Sequence, residues 1–169
     1  SLFEKNISLK KNFEAQRNSL NTRLQQRKAL SQRSNAAEIT YTIPVVFHII
    51  LPDPSVVTDA QLQAQLEVLN QAYSGTNADS ASIPSWFKPL FAKSYIRFCL
   101  AQRTPGDAPS TGITRTATSS TSFTYDDKVK YSSTGGTDSW NTDNYFNVWI
   151  CRLGNNLLGY ATFPDDGNA

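Results

Sequence analysis

A chain of 169 residues with 39% hydrophobic and 11% aromatic residues is long enough for one domain with a real core and too short for two comfortable ones. The net charge of +2 gives no overall push toward nucleic acid or acidic partners, and no run approaches the roughly 18 apolar residues of a membrane span. Two cysteines, Cys99 and Cys151, cannot define a disulfide scaffold, and they have neither metal-ligand spacing nor a CxxC partner.

The charge is unevenly placed. Residues 1–34 hold 8 of the 16 Lys and Arg and 2 of the 14 Asp and Glu, a local balance of +6 against −4 for the remainder. A basic head on a mildly acidic body could meet an anionic surface; the plainer reading is a helix that folds back on the body or is cut away. Phe3, Ile7, Leu9, Phe13, Leu20 and Leu24, several at spacings of four, predict an amphipathic helix within 2–30. It runs out in the polar stretch 31–37, where Arg33 offers a trypsin-like protease a cut site. No charged-then-apolar signal segment opens the chain and it holds no Met, so we expect a processed or excised piece.

The body opens on Tyr41-Thr-Ile-Pro-Val-Val-Phe-His-Ile-Ile-Leu51, almost continuously apolar and β-branched, which predicts a strand covered on both faces and hence a parallel sheet. A helix is predicted over 59–73. Thr58 and Gln61 make a capping box, Val57 a staple to Leu62, and Leu62, Leu66, Leu69 and Tyr73 one apolar stripe. A second strand over 95–101 completes a βαβ unit. Residues 104–139, rich in Ser, Thr, Gly and Asp, read as a long excursion with only short structure of its own. A third strand is predicted over 145–153 and a fourth over 157–163, where Gly159 and greater polarity suit an edge or a bulge.

Chemistry is sparse. His48 is the only histidine and lies in the most apolar strand, which favours a buried, hydrogen-bonded structural role over a ligand or a catalytic base. No GxSxG elbow supports a Ser/His/Asp triad, and no glycine-rich stretch has the spacing or the Lys of a phosphate loop. The pairs Asp126 with Asp127 and Asp165 with Asp166 could enter a calcium site or a glycosidase pair, but both lie in turn-like sequence where Asp serves local hydrogen bonding. Residue chemistry alone gives a soluble α/β domain with an edge strand and a basic helical head.

The ordered segments Ile43-Pro-Val-Val-Phe-His48, Thr58-Asp-Ala-Gln-Leu62 with Leu69-Asn70, and Arg97-Phe-Cys-Leu-Ala101 add a further signal. Gly112-Ile-Thr-Arg115, Gly135-Gly-Thr-Asp138 with Trp140, Asn147-Val-Trp-Ile-Cys151, and Leu157-Leu-Gly-Tyr-Ala161 with Phe163-Pro164 continue it. Together they resemble the pappalysin family of metzincin metalloproteases, in the ulilysin-like branch. The resemblance implies the upper, N-terminal half of a catalytic domain: a mixed twisted α/β sheet with an antiparallel edge strand that roofs the active-site cleft. A peptide substrate would pair with that edge by main-chain hydrogen bonds, which assigns substrate contact to Leu157, Leu158, Gly159, Tyr160 and Ala161.

The resemblance further implies a secreted zinc endopeptidase. Its HExxHxxGxxH helix and Met-turn are missing here and are expected beyond Ala169, so residues 39–169 would be an incomplete catalytic domain, inert alone. Zinc is then the cofactor of the full-length enzyme, with room for calcium, and the partners are a peptide or protein substrate and the missing C-terminal half, not nucleic acid or membrane. Residues 1–38 occupy the place of a pro-segment. Lacking a Cys there, it would impose latency through Glu4, Glu14 or Glu38, or through steric cover. In the related sheet Cys99 and Cys151 would lie about two strand spacings apart, roughly 9 to 10 Å and too far for a disulfide. The alternative is a complete, non-catalytic module that binds peptides or partners through its edge strand; a basic helical adaptor rests on residues 1–34 alone.

Overall fold

The computed structural model describes residues 39–161 and, ahead of them, ten residues between Lys11 and Gln26. The backbone divides into two units, Ser1–Ile39 and Thr40–Ala169. In the first, the ten described residues, Glu14 among them, are helical and exposed, and the Thr22 hydroxyl donates to the Asn18 carbonyl one turn back at 2.9 Å. Glu4, Glu38, the linker 31–37 and the apolar residues predicted to line this helix lie outside the described residues.

The second unit is organised around β1 (Tyr41–Leu51), in which the six consecutive residues 45–50 are buried. Side chains alternate across a strand, so this run must be covered twice. Val45, Phe47 and Ile49 pack with Leu62, Leu66 and Phe98 on one face, while Ile50 packs with Phe123 and Val129 on the other. The first cover is helix α1 (Asp59–Ser74). Its start is fixed by a reciprocal box: the Gln61 amide donates to Thr58 Oγ1 at 3.3 Å, and the Thr58 amide donates to Gln61 Oε1 at 2.9 Å. The second cover is the irregular stretch 118–145, braced by short 3₁₀ turns at Lys128–Lys130 and Ser132–Thr134.

Three strands, β2 (Ile96–Leu100), β3 (Ile113–Ala117) and β4 (Phe146–Cys151), pair with β1, all parallel to it. Tyr41 and Phe47 donate their amides to the carbonyls of Tyr95 and Gly112, and the carbonyls of Val45 and Leu51 accept from Ala101 and Thr118. Backbone groups of successive residues point to alternate edges of a strand, so these odd-numbered residues all face one edge of β1. Along that edge β2 and β3 follow each other end to end; β4 takes the opposite edge. Between β2 and β3 the chain leaves and returns, closed by a bridge between Arg103 and Pro109. It re-enters at Gly112 with φ +70, where a Cβ would lie 2.6 Å from the Ala101 nitrogen and 3.0 Å from the Val45 carbonyl oxygen.

The α/β class, the strand–helix–strand unit and the first three predicted strands are present, with ends shifted by no more than two residues. Two features differ. β3 falls inside the predicted excursion: Ile-Thr-Arg-Thr-Ala has little pattern of its own, and it becomes a strand because the second half of β1 has an unfilled ladder beside it. The antiparallel edge strand expected over 157–163 is not formed by its described residues, 157–161. Consecutive left-handed residues, Asn155 and Asn156 at φ 56, swing the chain away from β4, and the Tyr160 ring then packs on Tyr125 with centroids 4.8 Å apart. Cys99 and Cys151 are both free; they flank opposite edges of β1, aligned with Pro44 and Ile50, which puts them well beyond disulfide reach.

Candidate functional site

Among the described residues, no strand pairs with the outer edge of β4. Even-numbered residues of β1 face β4, and the register Val46 to Asn147 then turns the backbone groups of Asn147, Trp149 and Cys151 outward. Among the described residues these outward groups meet no backbone partner. A groove of about 550 Å³ runs along the edge, with β4 as one bank and Leu158, Gly159, Tyr160 and Ala161 as the other. Four of the five residues assigned to substrate contact therefore line it. Leu157 is half-buried and is not part of the lining.

The groove is mostly apolar with one cation. Trp149 is held by its indole N–H, which donates to the Thr137 carbonyl at 2.8 Å. Lys130 Nζ sits 5.8 Å from the ring centroids of both Trp149 and Tyr160 and pairs with Asp127 at 2.8 Å. The Tyr160 hydroxyl is buried, and desolvation together with the charge and contact of the Asp127 carboxylate pushes its pKa up to about 12. It stays protonated at neutral pH. Leu158 is fully exposed, and a Cβ at Gly159 would meet nothing within 4 Å, so this bank is open to a partner. Sequence reading missed the other bank: Trp149 and Lys130 have no signature in the sequence, and only the strand order makes β4 an edge.

No reactive group faces the groove. Burial pushes the Cys151 thiol up, away from the thiolate. Asp126 and Asp127 serve a turn: Asp126 binds Lys128 through its side chain and amide, and Asp127 takes φ 59. Asp165 and Asp166 lie outside the described residues. His48 is wholly buried, with Nδ1 2.8 Å from Thr114 Oγ1 and Nε2 2.9 Å from Asn147 Oδ1. Both ring nitrogens are engaged, so it has no lone pair to give a metal. No group of three metal-ligating side chains occurs among the described residues. The described residues do not form a zinc centre, and what the groove can do is hold an extended chain by main-chain hydrogen bonds and apolar contact.

No protein-family model and no curated protein matches the chain. Solved structures do. The chain is 44% identical to mirolysin in complex with a compound, with a TM-score of 0.71 over 75% of this chain and 48% of that one. It is 43% identical to Tannerella forsythia mature mirolysin with a cleaved peptide, over 76% and 48% of the two chains with a TM-score of 0.71. A promirolysin variant from Tannerella forsythia matches at 39% identity and a TM-score of 0.70, over 82% and 48%. The chain thus spans about half the length of these structures. By sequence and fold together, it is similar to about half of mirolysin, a pappalysin/ulilysin-type metzincin.

Proposed function

We propose that this chain supplies the substrate-binding upper part of a secreted zinc-dependent endopeptidase, while the zinc ligands and the general base belong to a C-terminal half. The observation that carries the reading is the groove on the open edge of β4, opposite Leu158–Ala161, in a chain 43% identical to a mirolysin that holds a cleaved peptide. An extended peptide laid there gains affinity from backbone hydrogen bonds, and side-chain preference from Trp149, Lys130 and Tyr160. Residues 1–38 act as a pro-segment in the same proposal.

The test is to read on past Ala169 and express the longer chain. A following HExxHxxGxxH and zinc-dependent peptide cleavage would support the proposal; a stop codon would leave the non-catalytic peptide-binding module in its place. In the longer enzyme, Leu158→Asp puts a charge at a fully exposed position and should fold normally. Its KM should rise roughly tenfold with kcat little changed. An unchanged KM would remove this bank from the substrate site.

A further inference from the structure

The sheet has two outer edges, and the chain treats them differently. On the β2 side, alternation turns the backbone groups of Ile96, Phe98 and Leu100 outward, since Tyr95 and Ala101 bond to β1. At Phe98, the middle of the strand, both groups are taken by one side chain. The Phe98 amide donates to Asn70 Oδ1 at 2.8 Å, and Asn70 Nδ2 donates to the Phe98 carbonyl at 3.0 Å. These are the two bonds a neighbouring strand would make, supplied by a primary amide that carries the same donor and acceptor as a peptide group. Asn70 follows Leu69 on α1, the helix whose Leu62 and Leu66 are buried against the sheet, so its position is set by the core.

We infer that Asn70 is an edge stop: it completes the ladder of β2 in place of a strand and closes that edge to added chains. Exposed edges invite pairing with other chains, and proteins blunt them with covers and charges. Exposed Arg97, in the same strand, adds a charge beside the stop. β4 carries no such cover among its described neighbours. The closure of β2 does not depend on the protease reading and is tested separately from it.

Amide hydrogen exchange on this chain gives the first measurement. Phe98 N–H should exchange at least about 100-fold more slowly than the N–H groups of Trp149 and Cys151. In Asn70→Ala the Phe98 amide should lose that advantage, and sedimentation should detect self-association at concentrations where the parent is monomeric. If Asn70→Ala does not fold, Asn70→Asp decides: it keeps an acceptor for the Phe98 amide but has no donor for the carbonyl, so Phe98 should stay protected while self-association rises. Equal exchange at Phe98, Trp149 and Cys151 in the parent would overturn the inference. So would a folded Asn70→Ala that stays monomeric with Phe98 protected.

Discussion

His48 is held by three strands at once, through Thr114 on β3, Asn147 on β4 and its own place in β1. Asn147 Oδ1 also accepts the Trp140 amide at 2.8 Å, while Nδ2 donates to the Trp140 carbonyl at 2.9 Å. An acceptor at that position requires the His48 proton on Nε2, and the Thr114 hydroxyl then donates to Nδ1. The network ties the irregular cover 118–145 to the sheet, with Trp149 tilted over the imidazole at 5.3 Å. Replacing His48 with Ala leaves a cavity and two orphaned partners; urea unfolding should show a loss of roughly 3 kcal/mol. Burial holds the imidazole below its ordinary value of 6.5, partly opposed by the Asn147 hydrogen bond. The unfolded chain therefore binds the extra proton first. The stability this group contributes is complete above about pH 6.5 and falls as pH drops from there toward the folded pKa, by at most ~1.4 kcal/mol per pH unit. The depressed carboxyls Asp53, Asp126 and Asp138 act only at lower pH, so His48→Gln should flatten the curve just below pH 6.5 and leave the acid limb unchanged. That His48 is buried was legible from its apolar neighbours in sequence. Its partners, 66 and 99 residues away, were not.

At the level of elements, α1 and β1 declare themselves locally, whereas β3 and the segment after β4 do not. The capping box and the Leu62, Leu66 and Leu69 stripe are contained within one helix, so sequence alone places it almost to the residue. β3 depends on Gly112 to bring the chain back beside β1. Gly112→Ala would add left-handed strain of about 1–2 kcal/mol to a clash with two backbone groups, Ala101 and Val45. The expected total is above about 3 kcal/mol, with β3 amides losing exchange protection before those of α1. A variant as stable as the parent would show that the return can be made another way. The described part of the strand predicted over 157–163 does not form for the opposite reason: Asn155, Asn156 and the packing of Tyr160 on Tyr125 hold 157–161 across a groove from β4.

For the molecule as a whole, the chain matches about half of each mirolysin structure and, among its described residues, has no set of metal ligands. Elemental analysis of this chain should find well under one zinc per molecule, and of the longer chain about one. Stoichiometric zinc on residues 1–169 would refute the division of labour proposed above. Among the described residues no helix is long and apolar enough to cross a membrane. The sequence by itself determined the α/β class with its central strand, the helix with its cap, the burial of His48 and the family resemblance, because each rests on local pattern or on ordered short segments. Tertiary structure decided which strand is left at the edge, that β2 and β3 share one edge of β1, that Asn70 closes the outer side of β2, and that Trp149 and Lys130 face Leu158–Ala161. Those outcomes depend on pairings between residues tens of positions apart, where the backbone of one strand fills or leaves open the hydrogen bonds of another, and no local pattern in the chain encodes them.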